Sequence, residues 1–487
     1  MEYIKDWKPF DYELWATGYG LFYPGSRKDD SMSIYWRGLV LAFILLILLG
    51  CAGGKSTRWG HFHGNLTSQG NQPVDSGFAL SSNWISKPYR ITSSSPVIGS
   101  DFQNREIIYV GTADGMLVAL RSEDGREKWK KTQGISGSET RIISSPSVSD
   151  EHNIYVISNR KVGDKRFRST LHKIDQFSNQ RWSYTFPGNG FVGGSPKVVS
   201  MQKEALIFVY LAVGGVEDSQ GELFVLRDEG RRAQLADRKS LATCRYDLTA
   251  SGSDLDDLFD FYEDTWNLVG SFPPVSDEKG VVLPNRFIDP TVAVVAGREK
   301  PLIAIADNLC SIGAFEWDGT GLSVLWRQEH SFEKHSSAAV SANGLMVFGR
   351  QDGKVQACDV ETGVTMWEYD AGQPVFATPG IAAEKFIFVV SKDHIQVLNI
   401  SDGTLVHDDK SSFKLPLLGV THSSPALAAN RVYVSTFEML TVTYDLKTRG
   451  HDTNFHGNGL SSVAIGPDGA VYGVASDGTI HKYAGTE

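Results

Sequence analysis

An internal repeat constrains this chain more than any other feature of its 487 residues. Its clearest copy covers residues 93–130 and contains four short β-strand patterns joined by turn signals. Asp114-Gly115 and Asp124-Gly125 mark two of these turns, because such turns need residues that tolerate positive φ. Four antiparallel strands joined by tight turns make one blade of a β-propeller. The repeat therefore predicts an array of blades.

The start of the repeat recurs along the chain, in most copies as a hydroxyl residue followed by Pro. The starting motifs are Ser95-Pro96, Ser145-Pro146, Ser195-Pro196, Asp289-Pro290, Ser337-Ala338, Thr378-Pro379, Ser424-Pro425 and Ser462-Val463. These copies predict an all-β fold, an eight-bladed propeller of four-stranded antiparallel blades over residues 76–487, and a monomer.

The last copy, 461–485, stops after its third strand. The run around Trp84 has the pattern of the missing strand, so the N-terminal strand is predicted to close the last blade. Closure of the ring removes an edge that would otherwise pair with other chains. A Trp near the end of several copies is predicted to pack between blades in a structural role; with the closing strand these are Trp84, Trp129, Trp182, Trp326 and Trp367.

The N-terminus has the pattern of an export signal. Twelve apolar residues at 38–49 follow Arg37, and Cys51 follows Gly50. Twelve residues are too few for a membrane-spanning helix but fit a signal-peptide core. The sequence Leu48-Leu49-Gly50-Cys51 resembles a bacterial lipobox, which implies lipidation of Cys51. Residues 32–50 are thus predicted as the signal, 51–75 as the lipidated Cys, tether and N-terminal motif, and 1–31 as a misannotated upstream extension. The alternative is a cytoplasmic tail on one membrane-spanning helix.

An insertion of about 247–287 separates the third and fourth copies. Apolar residues recur at helical spacing from Leu255 to Trp266, which predicts an amphipathic helix capped by Ser253. The helix either covers a blade edge or docks a partner. Its candidate partner-binding residues are Asp254, Asp256, Asp257, Asp260, Glu263, Asp264 and Trp266.

Composition excludes several functions. The formal net charge of −10 argues against a nucleic-acid partner. His61 and His63 could share one face of a strand, but no third ligand is evident, so no metal site is predicted. Whether Cys244, Cys310 or Cys358 form a disulfide stays open.

The repeats resemble the PQQ-like (quinoprotein-type) repeat family, on the sequences YVGTADGMLVAL at 109–120 and DGKVQACDVETGVTMW at 352–367. Trp59-Gly60-His61-Phe62-His63-Gly64 is similar to the W-x-x-F-x-G motif of bacterial members. The resemblance implies an eight-bladed propeller and two functional types, namely quinone-dependent dehydrogenases and lipoproteins of the outer-membrane β-barrel assembly machinery.

The dehydrogenases of this family carry adjacent cysteines against the quinone, and this sequence has no Cys-Cys pair. We therefore expect no enzyme activity, no catalytic residue and no cofactor. The expected function is a scaffold on the periplasmic face of the outer membrane that binds protein partners, such as β-barrel assembly components. The alternatives are a quinoprotein dehydrogenase and a propeller that binds a small ligand.

Overall fold

The chain folds into β-strands that alternate with tight turns. The computed structural model describes residues 59–485 except 77–79, 92, 133, 136–138, 164–165, 189, 202–203, 216–217, 241–290, 297, 308–310, 330–335, 392–393, 407–413, 418–420, 422, 430, 437–440, 446–450, 456 and 458. In that part of the chain no α-helix occurs, so none is long and apolar enough to cross a membrane. The predicted all-β class is confirmed.

In chain order the strands are β1 (Leu80–Ile85), β2 (Val97–Ser100), β3 (Glu106–Gly111), β4 (Leu117–Arg121), β5 (Glu127–Lys131), β6 (Thr140–Arg141), β7 (Ser147–Val148), β8 (Ile154–Gly163), β9 (Arg166–Ile174), β10 (Gln180–Thr185), β11 (Gly190–Phe191), β12 (Lys197–Ser200), β13 (Ala205–Gly215), β14 (Asp218–Asp228), β15 (Ala233–Ser240), β16 (Ala293–Val295) and β17 (Leu302–Ala306). They continue as β18 (Ser311–Trp317), β19 (Leu322–Glu329), β20 (Ala339–Val340), β21 (Leu345–Gly349), β22 (Lys354–Asp359), β23 (Thr365–Asp370), β24 (Gly380–Ala382), β25 (Phe386–Val390), β26 (His394–Asn399), β27 (Lys414–Pro416), β28 (Ala426–Ala428), β29 (Arg431–Ser435), β30 (Thr441–Asp445), β31 (His451–Phe455), β32 (Ala464–Ile465), β33 (Val471–Val474) and β34 (Ile480–Gly485).

These strands form eight antiparallel sheets within the described residues, and we call each sheet a blade. Blades 1 to 8 are β2–β5, β6–β10, β11–β15, β16–β19, β20–β23, β24–β27, β28–β31 and β32–β34 with β1. Neighbouring blades share hydrophobic clusters, as expected of blades packed face to face around an axis.

The prediction of four strands per blade is correct for six of the sheets, whereas blades 2 and 3 have five strands each. The reason is that β8 and β13 are long, with 10 and 11 residues. One short strand cannot span such a partner, so β6 and β7 pair with different parts of β8, and β11 and β12 with different parts of β13.

Burial follows the position of a strand within its blade. Strand β3 is buried on both of its faces except at its first residue, because neighbouring blades cover both. Strand β19, the outermost of blade 4, is mostly exposed or half-buried. The core therefore lies between the inner three strands of adjacent blades.

The N-terminal strand closes the ring. Strand β1 pairs antiparallel with β34, and Leu80 lies opposite Gly485. Trp84 is buried and lies in the cluster that joins blade 8 to blade 1. The first and last parts of the propeller thus complete one sheet together.

Candidate functional site: the axis and the blade seams

A ring of hydroxyl side chains joins the blades where each inner strand begins. In seven places a backbone N–H of one blade donates to a hydroxyl of the next, over 2.8 to 3.0 Å. The ring residues are Ser95, Ser145, Ser195, Thr291, Ser337, Thr378, Ser424 and Ser462. Ser462 N–H donates to Ser95, which links the last blade to the first.

The repeat pattern predicted seven of these positions and missed the fourth. The motif assigned to that blade was Asp289-Pro290, which lies outside the described residues. Thr291 occupies the ring instead and accepts a hydrogen bond from Ser195 N–H. A threonine supplies the same hydroxyl acceptor, so the position depends on the hydroxyl and not on the following Pro.

Residues 59–75, which we call the axial segment, run along the free edges of the innermost strands. Its carbonyl groups accept the N–H of one residue in each of six blades, over 2.7 to 2.9 Å. The donors are Ile98, Val148, Val294, Val340, Ile381 and Leu427, each three residues after the ring residue of its blade. The acceptors follow the chain in order as Trp59, Gly60, Leu66, Thr67, Gln69 and Gly70. This segment, which precedes the predicted boundary at residue 76, is therefore joined to the innermost strands by backbone hydrogen bonds.

Blade 3 reaches the axial segment through a side chain. Lys197 Nζ donates to the carbonyl oxygens of Phe62 and Asn65, at 2.9 and 2.6 Å. Lys197 is fully buried, and burial holds its pKa well below the usual value for lysine. Both acceptors are neutral, so this lysine serves as a hydrogen-bond donor to the segment.

His61 and His63 lie in a turn of the axial segment and not on a strand. His63 is buried, with Nδ1 2.6 Å from Ser68 O and Nε2 2.8 Å from Pro425 O. A neutral ring can donate to only one of these carbonyl groups at a time. Burial nevertheless lowers the pKa of His63 to about 4. The hydrogen bonds to the two carbonyl groups act in the opposite direction, because they favour the protonated ring. Nδ1 of His61 lies 3.2 Å from Ser147 Oγ. In the described part of the chain, no three His, Cys, Asp or Glu side chains cluster as a metal ion would require.

The five tryptophans predicted between blades all lie at seams, and each indole Nε1 donates to the next blade over 2.8 to 3.0 Å. The acceptors of Trp84, Trp129, Trp182, Trp326 and Trp367 are Ser122 O, Gln176 O, Asp228 Oδ1, Val360 O and Ile400 O. These bonds place the tryptophans in the packing between blades, at a distance from the axis.

Sequence reasoning missed Lys197 as a functional residue of the axis. Its signal was a lysine at the start of an otherwise apolar strand, Lys197–Ser200, where blade 1 has Val97. The other predicted residues cannot be placed. Cys51 and the acidic positions 254, 256, 257, 260, 263 and 264, with Trp266, lie outside the described residues.

We predict that stability falls as the pH drops from about 6.5 to 4. The pKa of buried His63 is lowered to about 4 and that of buried His172 to about 3, in both cases mainly by burial. The unfolded chain then binds protons that the folded chain excludes, so each imidazole costs on the order of 3 kcal/mol by pH 4. Urea unfolding at pH 7.0, 5.5 and 4.5 measures this loss. His63→Gln should make the loss smaller; an unchanged pH dependence in that variant would contradict the assignment.

The fold, the hydroxyl ring and the tryptophan seams define a PQQ-like repeat β-propeller. The sequence matches the family described as outer membrane protein assembly factor BamB over residues 84–205 and 318–448, together more than half of the chain. The chain belongs to this family, and the predicted resemblance is confirmed. No curated protein matches the sequence significantly.

Solved structures share the fold at low identity. Quinohemoprotein alcohol dehydrogenase from Comamonas testosteroni is 11% identical, with a TM-score of 0.58 over 89% of this chain and 82% of that chain. A europium-containing methanol dehydrogenase is also 11% identical, with a TM-score of 0.58 over 88% of this chain and 98% of that chain. BamB from Moraxella catarrhalis is 13% identical, with a TM-score of 0.46 over 86% and 97%. The two dehydrogenase likenesses show the fold alone.

The described residues do not fit a quinone at the axis. Lys197 and His63, two buried polar side chains there, already bind carbonyl groups of this chain. Cys358 is the one cysteine within the described residues; it is buried in a blade and burial raises its pKa to about 12. No cysteine in the sequence has a cysteine neighbour that could face a quinone.

Proposed function

We propose that this chain is a non-catalytic scaffold of the cell envelope that binds protein partners in outer-membrane protein assembly. The observation that carries the proposal is the axial segment. Its backbone carbonyl groups accept hydrogen bonds from backbone N–H groups of six blades and from the Lys197 side chain of a seventh. A propeller so filled offers its outer surfaces and turns to partners, and turns carry the variable contacts of such folds. The family description, an outer membrane protein assembly factor, supports the same function.

The two alternative functions are a quinone-dependent dehydrogenase and a propeller that binds a small ligand. The dehydrogenases that share the fold favour the first, but at 11% identity they support only the architecture. The occupied axis supports the scaffold over both, because the enclosed position that all blades could line is filled by residues 59–75.

The proposed location is the periplasmic face of the outer membrane, with a lipid anchor at Cys51. The supporting features are the twelve-residue apolar core, the lipobox-like sequence and Ala52 after the cysteine. Ala52 would be the second residue of the mature chain. A residue other than Asp at this position resembles the pattern that sorts lipoproteins of enteric-type bacteria to the outer membrane.

We predict that Cys51→Ser releases the protein from the membrane or leaves an uncleaved precursor. The thioether linkage to the diacylglyceryl group requires the thiol, and serine cannot provide it. Metabolic labelling with a clickable fatty acid, followed by membrane fractionation, measures both effects. Cys358→Ser is the matched control and should stay labelled. Wild-type protein without label would contradict the anchor.

The partner is tested by pull-down from detergent-solubilised membranes with the mature chain as bait. We expect β-barrel assembly components to be retained in a salt-sensitive manner, because six acids lie between Asp254 and Asp264. The triple variant Asp256→Asn, Asp257→Asn and Asp260→Asn should lose the partner. The control removes three exposed acids elsewhere, Glu139, Glu151 and Glu299, as Gln. If both triple variants retain the partner equally, the insertion is not part of the binding surface. If the wild-type chain retains no envelope protein, the scaffold function is contradicted.

A further inference from the structure

A buried Asp carboxylate lies at the seam between blades 2 and 3. Three donors of blade 2 surround Asp228 of blade 3. Lys173 Nζ and the Tyr155 hydroxyl each lie 2.6 Å from Oδ2, and Trp182 Nε1 donates to Oδ1 at 2.9 Å. This seam shows that a Lys, Tyr and Trp trio in this fold holds one carboxylate.

The seam between blades 8 and 1 repeats the trio. Lys482 Nζ lies 5.5 Å from the centre of the Tyr472 ring, and Lys173 Nζ lies 5.8 Å from that of Tyr155. The Trp84 and Tyr472 ring centres are 6.1 Å apart, against 6.0 Å for Tyr155 and Trp182. The two seams therefore present the same three groups in nearly the same arrangement.

The acceptor differs, because Ser122 takes the place of Asp228. Trp84 Nε1 and Lys482 Nζ donate to the Ser122 carbonyl, at 2.8 and 3.1 Å, and the Tyr472 hydroxyl lies 2.7 Å from Ser122 Oγ. The ion-pair partner of Lys482 is Asp468, 3.6 Å away and half exposed. Lys482 is itself only 7% exposed. A buried ammonium thus faces a serine where its counterpart faces a carboxylate.

A carboxylate of this chain does lie near Ser122. Glu106 is adjacent to Ser122 across the β3–β4 pair, as Ala205 is to Asp228 across β13–β14. Glu106 Oε2 lies 3.3 Å from Ser122 Oγ. The pair Glu106 and Ser122 therefore replaces the pair Ala205 and Asp228.

A cleft of about 540 Å³ leads to Lys482. Its lining includes four cations and three carboxylates, which are Arg105, Arg121, Lys128, Lys482, Glu106, Glu123 and Glu127. Three of the cations have close carboxylate partners: Arg105 and Lys128 share Asp101, and Arg121 pairs with Asp124. Lys482 is the least exposed of the four cations, and its ion-pair partner Asp468 lies farther away, at 3.6 Å.

We propose that this cleft is a binding site for a carboxylate, and that its occupant is an acidic side chain of a protein partner. The bound carboxylate lies against Lys482, as Asp228 lies against Lys173. The commitment to a protein side chain rests on the proposed scaffold function, whereas the carboxylate chemistry rests on the two seams alone. The residues that line the cleft belong to a different part of the sequence from the acidic insertion, and the cleft binds the opposite charge.

The probe is a capped tripeptide, acetyl-Gly-Asp-Gly-amide, titrated into the purified chain while the Trp84 indole N–H is followed by NMR. We expect the indole resonance to move with a dissociation constant in the millimolar range. The matched peptide with Asn in place of Asp should bind at least about tenfold more weakly. Succinate is the small-molecule arm. Binding of succinate without binding of the Asp peptide would overturn the protein side chain as occupant.

The double variant Glu106→Ala and Ser122→Asp transplants the pair of blade 3 into blade 1. We expect it to melt at a higher temperature and to lose peptide binding at least about tenfold, because its own carboxylate then occupies Lys482. Lys173→Met at the other seam is the control and should bind the peptide as wild type does. Peptide binding that persists in the folded double variant, or equal binding of the Asn peptide, would overturn the site. Because purified protein is used, these results are independent of the pull-down.

Discussion

A chain that lacks residues 59–85 is expected to lose cooperative folding. The deletion removes β1, so blade 8 keeps three strands, and it removes the axial segment from the inner edges of seven blades. The seven backbone N–H groups that donate to the segment would have no protein acceptor there, and unpaired strand edges invite association. The loss should exceed the roughly 3–5 kcal/mol that removal of one buried Trp costs. Thermal unfolding followed by circular dichroism, with light scattering, measures it.

A graded series separates the two contributions. Trp84→Ala alone should cost about 3–5 kcal/mol and leave a cooperative transition, because it removes one side chain of the seam. Deletion of 80–85 alone should expose the edge of β34 and promote association. A wild-type melting curve for the full deletion would contradict both the closure and the axial segment.

Gly403→Ala is expected to destabilise the propeller by about 2–5 kcal/mol, because overpacking and positive φ both add to the cost. Gly403 has a φ of 69°, and an added Cβ would lie 2.4 Å from Trp367 Cε3. Trp367 is buried at the seam and cannot move without breaking its hydrogen bond to Ile400 O. Urea unfolding measures the loss, and the Trp fluorescence should shift as the indole is displaced.

Gly372→Ala is the matched control for backbone strain. Gly372 has a φ of 78°, but an added Cβ meets no atom within 4 Å. Its cost should be about 1 kcal/mol, from positive φ alone. Equal losses in the two variants would contradict the role of glycine as the surface on which the neighbouring tryptophan packs.

This packing explains the spacing of glycine and tryptophan in the repeat. The same contact recurs where Trp84 meets Gly125 and Trp326 meets Gly363, since a Cβ on either glycine would lie 2.4 to 2.5 Å from the indole. The tryptophan of one blade thus packs against the turn of the next blade. Sequence periodicity could predict the blades and the closing strand because each blade repeats these local contacts.

The axial segment could not be predicted in the same way. Its backbone groups join residues 59–70 to strands as far away as Leu427, and contacts between backbone groups leave no residue pattern. Lys197 is the exception, because a buried lysine in an apolar strand is visible in the sequence. The fifth strands of blades 2 and 3 depend on strand length, and their residues carry no separate signal.

The likeness of the two Lys, Tyr and Trp seams was also hidden. Tyr155 lies opposite Lys173 and Tyr472 opposite Lys482 only once the strand register is known. The difference between Asp228 and Ser122 then becomes interpretable, because equivalent trios hold different acceptors.

The central claim is that this propeller fills its own axis and acts as a scaffold. The most direct measurement is incubation of the purified chain with pyrroloquinoline quinone and Ca²⁺, followed by gel filtration and assay of alcohol- or sugar-dependent dye reduction. The account predicts that no quinone absorbance elutes with the protein and that no substrate-dependent reduction occurs. Stoichiometric retention of quinone, with substrate-dependent turnover, would contradict it.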